Sequence, residues 1–329
     1  MKVVFFQRKP RPNKNFSLEI LFDQIRSNLP KDISPIIEIS SYYSNGFFKR
    51  IYILIEAIYR QGDVNHVTGD INFTATLLKK KKTILTIHDL GCMNHPNPIA
   101  RKILQIIWLQ LPVKRAGYVT TVSQATKNEL LKFVNVDENK IRVLYIPVAK
   151  LITYSPKEFN TTTPVILQVG TKENKNLLRL IEAIQDIKCK LEIIGVLDER
   201  QLLALKKYKI NYNNAVNISN KELKEKYEKA DLLAFISTYE GFGMPIVEAQ
   251  IVGRPVITSN LLSMPEVAGD GSCIVDPFNI DEIRAGILKI ISDSYYRNDL
   301  IAKGRKNALR FSPSIIANQY AELYREIVS

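Results

Sequence analysis

One pattern constrains this chain more than any other: short runs of β-branched and aliphatic residues, each followed by a helix-period segment, repeated in two successive series. In the first half the runs fall at 3–6, 36–39, 64–68, 83–87, 118–122 and 141–146. Between the first two, Leu18, Leu21, Phe22, Ile25 and Leu29 recur at the spacing of one helical face. In the second half the runs fall at 165–169, 191–194, 216–218, 232–236, 256–258 and 273–275. Helical segments follow at 176–187 and around Ile283, Ile287, Ile290 and Ile291. Parallel strands need long crossovers, and helices supply them. Two such series predict an α/β chain of two Rossmann-like, doubly wound parallel-sheet domains.

The pattern breaks once. Pro147, Pro156, Thr161-Thr162-Thr163 and Pro164 make an irregular stretch, after which Val165 opens a new run. We therefore expect an N-terminal domain at 1–150, a linker at 151–164 and a second domain at 165–312. A C-terminal helix at 313–329, with Ile316, Tyr320, Leu323 and Ile327 on one face, is expected to pack back on the first domain. Such sheets bind ligands beyond the carboxyl ends of their strands, so two of them facing one another predict a site in the cleft.

Charge separates the halves. Residues 1–150 hold 23 Lys and Arg against 11 Asp and Glu, a surplus of +12, whereas residues 151–329 hold 23 against 22. That asymmetry points to a polyanionic partner: nucleic acid, anionic lipid or a phosphorylated substrate. Evenly spread charge would serve solubility equally well. Cys92, Cys189 and Cys273 stand alone, without a CxxC pair, which fits a reducing compartment and argues against zinc. The apolar start at Val3-Val4-Phe5-Phe6 is too short for a signal peptide. No run approaches the ~18–20 apolar residues of a membrane span. A cytoplasmic protein is expected, peripheral on the inner face of the plasma membrane if lipid is the polyanion.

Chemistry concentrates in Ser237-Thr238-Tyr239-Glu240-Gly241-Phe242-Gly243-Met244-Pro245-Ile246-Val247-Glu248. A strand ends here, a glycine turn follows, and a helix opens with Pro245 near its first position. Gly241 and Gly243 allow close backbone approach, and the helix N-terminus offers amide hydrogens to an anion. Carboxylates would repel a phosphate, so Glu240 and Glu248 should face hydroxyls, as ribose and sugar rings provide. Taken by itself, a GxG of this kind reads more simply as a strand–turn–helix corner with two solvated acids.

The spacing of Glu240 and Glu248 around Gly-Phe-Gly closely resembles the signature of the retaining glycosyltransferases of family 4, which have the GT-B fold. Further blocks resemble the family in the right order: Val169-Gly170-Thr171, Lys175-Asn176-Leu177, Gly253-Arg254-Pro255-Val256-Ile257 and Met264-Pro265-Glu266-Val267-Ala268-Gly269-Asp270. Coverage is strong from about 165 to 315 and weaker before it. The resemblance implies a nucleotide-sugar donor, UDP- or GDP-linked, a glycan or lipid-linked acceptor, and hexosyl transfer without a cofactor or metal. It places Glu248 on the ribose hydroxyls and Glu240 on the donor sugar, together with the Phe242-Gly243-Met244 backbone. Gly170 and Thr171 line the donor, and Lys175 holds the diphosphate. Many relatives carry arginine after the glycine or an Arg-Lys pair later, whereas this chain has Thr171 and Asn174-Lys175. The diphosphate then has one cation fewer, or another basic residue replaces it. No Asp-x-Asp occurs anywhere, in keeping with lysine and backbone amides in a metal's place.

In the first half, Thr86-Ile87-His88-Asp89-Leu90 resembles the family's His-Asp-Leu block, which places His88 against the donor sugar and phosphate. His66 and His95 read as packed or surface residues. The loop after the first run lacks the glycines many relatives have and carries Arg8, Lys9, Arg11 and Lys14 before a helix with Ser17 at its N-cap. These cations suit a phosphate of acceptor or donor, or form a basic surface loop. Two segments combine apolar stripes with basic and aromatic residues: 47–60, with Ile51, Leu54, Ile55, Ile58 and Tyr59, and 99–111, with Ile103, Ile106, Ile107, Trp108 and Leu111. Each reads as a core-facing helix or as one lying on an anionic bilayer.

Three other classes compete. A nucleic-acid-binding protein would use the basic half but leaves the Glu240/Glu248 pair without a role, so no nucleic acid is expected. A Rossmann oxidoreductase lacks its GxGxxG after the first strand. A catalytically silent sugar-binding relative would keep the same residues without turnover.

Overall fold

The computed structural model describes residues 1–10 and 17–329. The first sheet comprises β1 (Lys2–Gln7), β2 (Ser34–Ile39), β3 (Val64–Val67), β4 (Thr83–Ile87), β5 (Tyr118–Thr121) and β6 (Ile141–Val143). Its helices are α1 (Ser17–Arg26), α2 (Phe47–Tyr59), α3 (Pro98–Leu104), α4 (Leu111–Arg115) and α5 (Gln124–Leu131). The second sheet comprises β7 (Val165–Val169), β8 (Lys190–Ile194), β9 (Tyr212–Ala215), β10 (Leu232–Phe235), β11 (Val256–Ser259) and β12 (Cys273–Val275). Around it lie α6 (Leu177–Ala183), α7 (Glu199–Lys207), α8 (Asn220–Lys229), α9 (Met244–Val252), α10 (Met264–Ala268), α11 (Ile280–Ser292) and α12 (Ser294–Ala308), and α13 (Pro313–Val328) closes the chain.

Both sheets are parallel throughout, in the orders β2-β1-β3-β4-β5-β6 and β12-β11-β10-β7-β8-β9. Strand order reverses beside β1 and β3 in the first sheet and beside β7 and β10 in the second. Ligands of doubly wound sheets bind at such switch points, outside the strand carboxyl ends. Strands β3, β4, β10 and β11 are buried along their whole length, as expected where helices cover both faces.

The chain divides into two compact units, Met1–Ala149 with Phe311–Ser329, and Lys150–Arg310. Helix α13 thus completes the unit of the first sheet. Its Tyr320 and Tyr324 are fully enclosed there. The Tyr324 hydroxyl lies 2.7 Å from His66 Nδ1, and His66 Nε2 lies 2.7 Å from the Thr86 hydroxyl. Burial drives the His66 pKa down to about 3, so this imidazole is neutral.

Several expectations are corrected, among them the run expected at 141–146, whose strand β6 ends at Val143. The run expected at 216–218 is not a strand: β9 precedes it, pairing Tyr212 with Leu191 and Ala215 with Ile194. Val216 is exposed and Asn217 has φ +55°, which ends the strand. The helix expected at 176–187 ends at Ala183, followed by hydrogen-bonded turns through Ile187. On α2 the buried residues are Ile53 and Ala57, with Leu54 packed partly against the core, while Ile51, Ile55, Ile58 and Tyr59 are exposed. The segment 99–111 is α3, a π-helical stretch Gln105–Gln110 and the start of α4. Only Leu109 in it is fully enclosed. Among the described residues no helix is long and apolar enough to cross a membrane.

Candidate active site

In the second unit, two loops meet at the switch point between β7 and β10. After β7 the chain turns at Gly170, whose φ of +89° suits glycine. A Cβ there would sit 3.0–3.3 Å from the Lys175 stem, so the missing side chain makes room for that lysine. Gln168 Nε2 donates to the carbonyls of Gly170 and Lys175, each at 3.1 Å, closing the loop on itself. Asn176, in the left-handed region at φ +59°, donates from Nδ2 to the carbonyls of Ile236 and Pro277. Asn174 Nδ2 donates to the Tyr239 carbonyl at 2.8 Å and to Glu240 Oε1 at 3.2 Å. The Thr238 amide returns a bond to the Asn174 carbonyl.

This lacing brings Lys175 to Glu240: Nζ lies 2.6 Å from Oε1 and 4.6 Å from the centroid of the Phe235 ring. Both side chains are largely covered, with 19% and 16% exposure. Thr171 does not join them. Its hydroxyl donates to the Val196 carbonyl at 2.5 Å, and its own carbonyl accepts from Gln201.

The glycine corner follows. Gly243, at φ +106°, precedes α9, and Met244 and Pro245 open the helix without a side-chain cap. Uncapped first-turn amides carry the positive end of the helix dipole. The Ser263 hydroxyl lies 3.0 Å from the Glu240 carbonyl and 2.8 Å from that of Phe242, bracing the turn around Gly241. One turn into α9, Glu248 accepts a 2.7 Å bond from the hydroxyl of Tyr227 on α8. Burial raises the Glu248 pKa, and the tyrosine donor works against that rise. Arg254, after α9, anchors the end of α8 through the carbonyls of Tyr227 and Glu228.

The first unit gathers a different set at its own switch point. His88, just past β4, lies with Nε2 2.8 Å from the Thr68 carbonyl and with its ring edge-on to Phe22. A carbonyl only accepts, so Nε2 carries the proton; burial lowers the pKa, leaving Nδ1 as an acceptor near neutral pH. Gly69, at φ +117°, permits the approach, since a Cβ there would fall 2.8 Å from the imidazole. Arg8 is already committed: its guanidinium pairs with Glu19 at 3.0 Å and with Asp70. Lys9 donates to the Ser41 carbonyl and lies 5.3 Å from the Tyr43 ring centroid. Arg11 and Lys14 lie outside the described residues. His66 is packed in the core and His95 is on the surface.

The structure therefore unites Gly170, Lys175, Glu240, Gly241, Phe242, Gly243, Met244 and Glu248 around one corner of the second unit. His88, Arg8 and Lys9 lie in the first. Sequence reasoning missed Tyr227, Ser263 and the acids that neutralise Arg8. Asn174 was noted only for not being arginine. Among the described residues no three His, Cys, Asp or Glu side chains converge as metal ligands would.

The comparisons with known proteins agree with this geometry. Residues 153–307 match the family described as glycosyl transferases group 1, and residues 12–149 match glycosyltransferase family 4. Over 278 residues the chain is 27% identical to the O-antigen chain mannosyltransferase B of Escherichia coli, spanning 74% of this chain and 70% of that one. It is 31% identical over 208 residues to the O-antigen chain mannosyltransferase RfbU of Salmonella typhimurium, spanning 61% of this chain and 58%, less than two thirds, of RfbU. In fold it is similar to HepE of Anabaena, solved with UDP and glucose, with a TM-score of 0.80 at 15% identity, covering 99% of this chain and all of HepE. Two parallel six-stranded sheets, a glycine corner between two glutamates, and profile matches over nearly the whole chain lead to one assignment: the chain belongs to the group 1 glycosyltransferases of the GT-B fold.

Proposed function

We propose that this glycosyltransferase moves a hexosyl unit, mannose in the first instance, from a GDP- or UDP-linked donor to a growing surface polysaccharide or lipid-linked glycan, with retention of configuration. The observation that carries the reading is the Lys175–Glu240 pair at the β7/β10 switch point, beside the uncapped start of α9. A cation and a row of amides suit a diphosphate, and the neighbouring carboxylates suit hydroxyls. The names of the relatives support mannose and a polysaccharide acceptor, and the UDP and glucose bound to HepE keep both nucleobases in the panel.

In this reading Glu248 accepts from the ribose hydroxyls and Glu240 from the sugar. Lys175 and the first-turn amides of α9 stabilise the departing diphosphate, an electrostatic role. The bond from the anomeric carbon to the phosphate oxygen breaks while the acceptor oxygen bonds to the same face. The acceptor proton leaves with the diphosphate. In the first unit His88 keeps Nδ1 as an acceptor, and Arg8 pairs with Asp70 beside it. Lys175 and the amides supply the positive charge, so the reading calls for neither metal nor cofactor.

A thermal-shift panel of nucleotide sugars, followed by transfer assays with and without chelator, tests it. A GDP- or UDP-hexose should stabilise the protein and turn over equally with chelator. Glu248→Ala should abolish the shift, and Lys175→Ala should lower turnover at saturating donor by roughly 100-fold or more. Near-normal turnover in Glu248→Ala would remove the assignment of roles.

A further inference from the structure

The turn after β7 holds a side chain that glycosyl transfer at the β7/β10 corner leaves without a task. Asn174 stands beside Lys175 on one 3₁₀ turn, Glu173–Lys175, closed by the Lys175 and Asn176 amides on the Lys172 and Glu173 carbonyls. Lys172 and Glu173 are exposed, whereas Asn174 and Lys175 are half-buried. A primary amide has two donor hydrogens. Asn174 places them on the Tyr239 carbonyl at 2.8 Å and on Glu240 Oε1 at 3.2 Å. The Ser263 hydroxyl holds the Glu240 carbonyl at 3.0 Å, so the peptides on both sides of the Glu240 Cα are pinned.

Lys175 Nζ takes the same carboxylate oxygen at 2.6 Å. Oε1 therefore carries two donors, and among the described residues nothing holds Oε2. One oxygen fixes the side chain and the other is left for a ligand. Charge explains why the second donor is an amide. Lys175 already neutralises Glu240. A guanidinium at 174 would present a fork matched to both carboxylate oxygens and would occupy Oε2 as well. The asparagine gives the carboxylate one hydrogen and adds no charge. Arg179 does not intrude, because it donates to Asn176 Oδ1 and lies over the Phe278 ring, 5.0 Å from its centroid.

We infer that Asn174 is a positioning residue for Glu240: its side-chain amide engages Oε1 and the Tyr239 carbonyl so that Oε2 is presented to the hydroxyls of the donor sugar. The inference rests on the reading of Glu240 as the residue that receives that sugar. Small misplacements of a group that orients a reacting sugar cost rate steeply. The Thr238 amide bonds to the backbone carbonyl of Asn174 at 2.8 Å, a clasp that every substitution of the side chain leaves in place.

Release of GDP from GDP-mannose and of UDP from UDP-glucose is measured for the full-length parent, Asn174→Ala, Glu240→Ala and the double variant, alongside binding of GDP and UDP by themselves. With the better donor, Asn174→Ala should lower kcat/KM about tenfold and keep the affinity for the free nucleotide within about twofold. In the Glu240→Ala background the same substitution should cost less than about twofold, since nothing is left to position. Asn174→Arg should stay as slow as Asn174→Ala while binding the free nucleotide more tightly. Parental kcat/KM in Asn174→Ala, equal losses in both backgrounds, or free-nucleotide affinity that falls in step with turnover would each overturn the inference and leave the transferase reading standing. So would an Asn174→Arg variant that outruns the parent. A parent that cleaves neither donor would remove the reading and the inference with it.

Discussion

Glu248 shows how a residue's reach can exceed its motif. Its raised pKa means that it protonates at a higher pH on acidification than an ordinary glutamate, whose value is 4.5. A protonated carboxyl accepts fewer hydrogen bonds from ribose, so donor affinity should fall as pH drops through that raised value. Tyr227 opposes the rise by donating to Glu248. Tyr227→Phe keeps the buried ring and removes the donor, which should raise the Glu248 pKa further. Hydrogen bonds to charged groups contribute about 1.5–3 kcal/mol. Donor KM at neutral pH should therefore rise about tenfold, and the acid limb of the KM profile should move to higher pH, with kcat changing less. A variant with the parental profile would reduce Tyr227 to packing. Nothing in the sequence announces this tyrosine, since it lies 21 residues before Glu248 on a helix of lysines and glutamates, and only the packing of α8 on α9 joins the two. Lys175, Glu240 and Glu248 were legible because their chemistry is written in short local motifs. The neutralisation of Arg8 by Asp70 was not, because that ion pair spans 62 residues.

At the scale of elements, the sequence is readable where strands are buried on both faces and opaque at edges. β9 carries Tyr-Asn-Asn-Ala and has no apolar stripe to announce it; its backbone pairing with β8 makes it a strand. On α2, apolar residues stand at almost every position, so periodicity could not choose a face, and the core took Ile53 and Ala57. Helix α13 was legible as a helix, but its polar anchor was not. His66 would have an ordinary pKa of 6.5 in the unfolded chain and is held near 3 in the fold. The unfolded state therefore binds more protons below about pH 6.5, and the associated stability is full above that pH and is lost as pH falls toward 3. Each pH unit in that window costs about 1.4 kcal/mol. His88, also lowered, acts in the same direction. Urea melts should show about 2 kcal/mol less stability at pH 5 than at pH 7.5 from His66, and His66→Gln should flatten that slope. An equal acid loss in parent and variant would mean that the carboxylates, not this imidazole, govern it.

For the whole molecule, the chain order and the physical units do not coincide. Charge counted by halves and the proline-rich break near 150 locate one division, yet the first unit needs the last 19 residues of the chain to be complete. Ile316, Tyr320, Leu323 and Tyr324 of α13 are buried. At about 1.5–3 kcal/mol for each such side chain, α13 contributes on the order of 6–12 kcal/mol, as much as the 5–15 kcal/mol that holds a typical domain together. Removing it would also expose His66, Phe5 and the Thr86–Thr120 pair that it covers. The second unit is continuous and keeps every member of the Lys175–Glu240–Glu248 corner, with Tyr227 and Arg254 behind it. Residues 150–310 expressed alone should therefore melt cooperatively and be stabilised by the same nucleotide that stabilises the full chain. Residues 1–149 alone should not melt cooperatively, whereas 1–149 joined by a short linker to 311–329 should. A cooperative melt from 1–149 without α13 would show that the helix is an attachment and that the first sheet closes its own core.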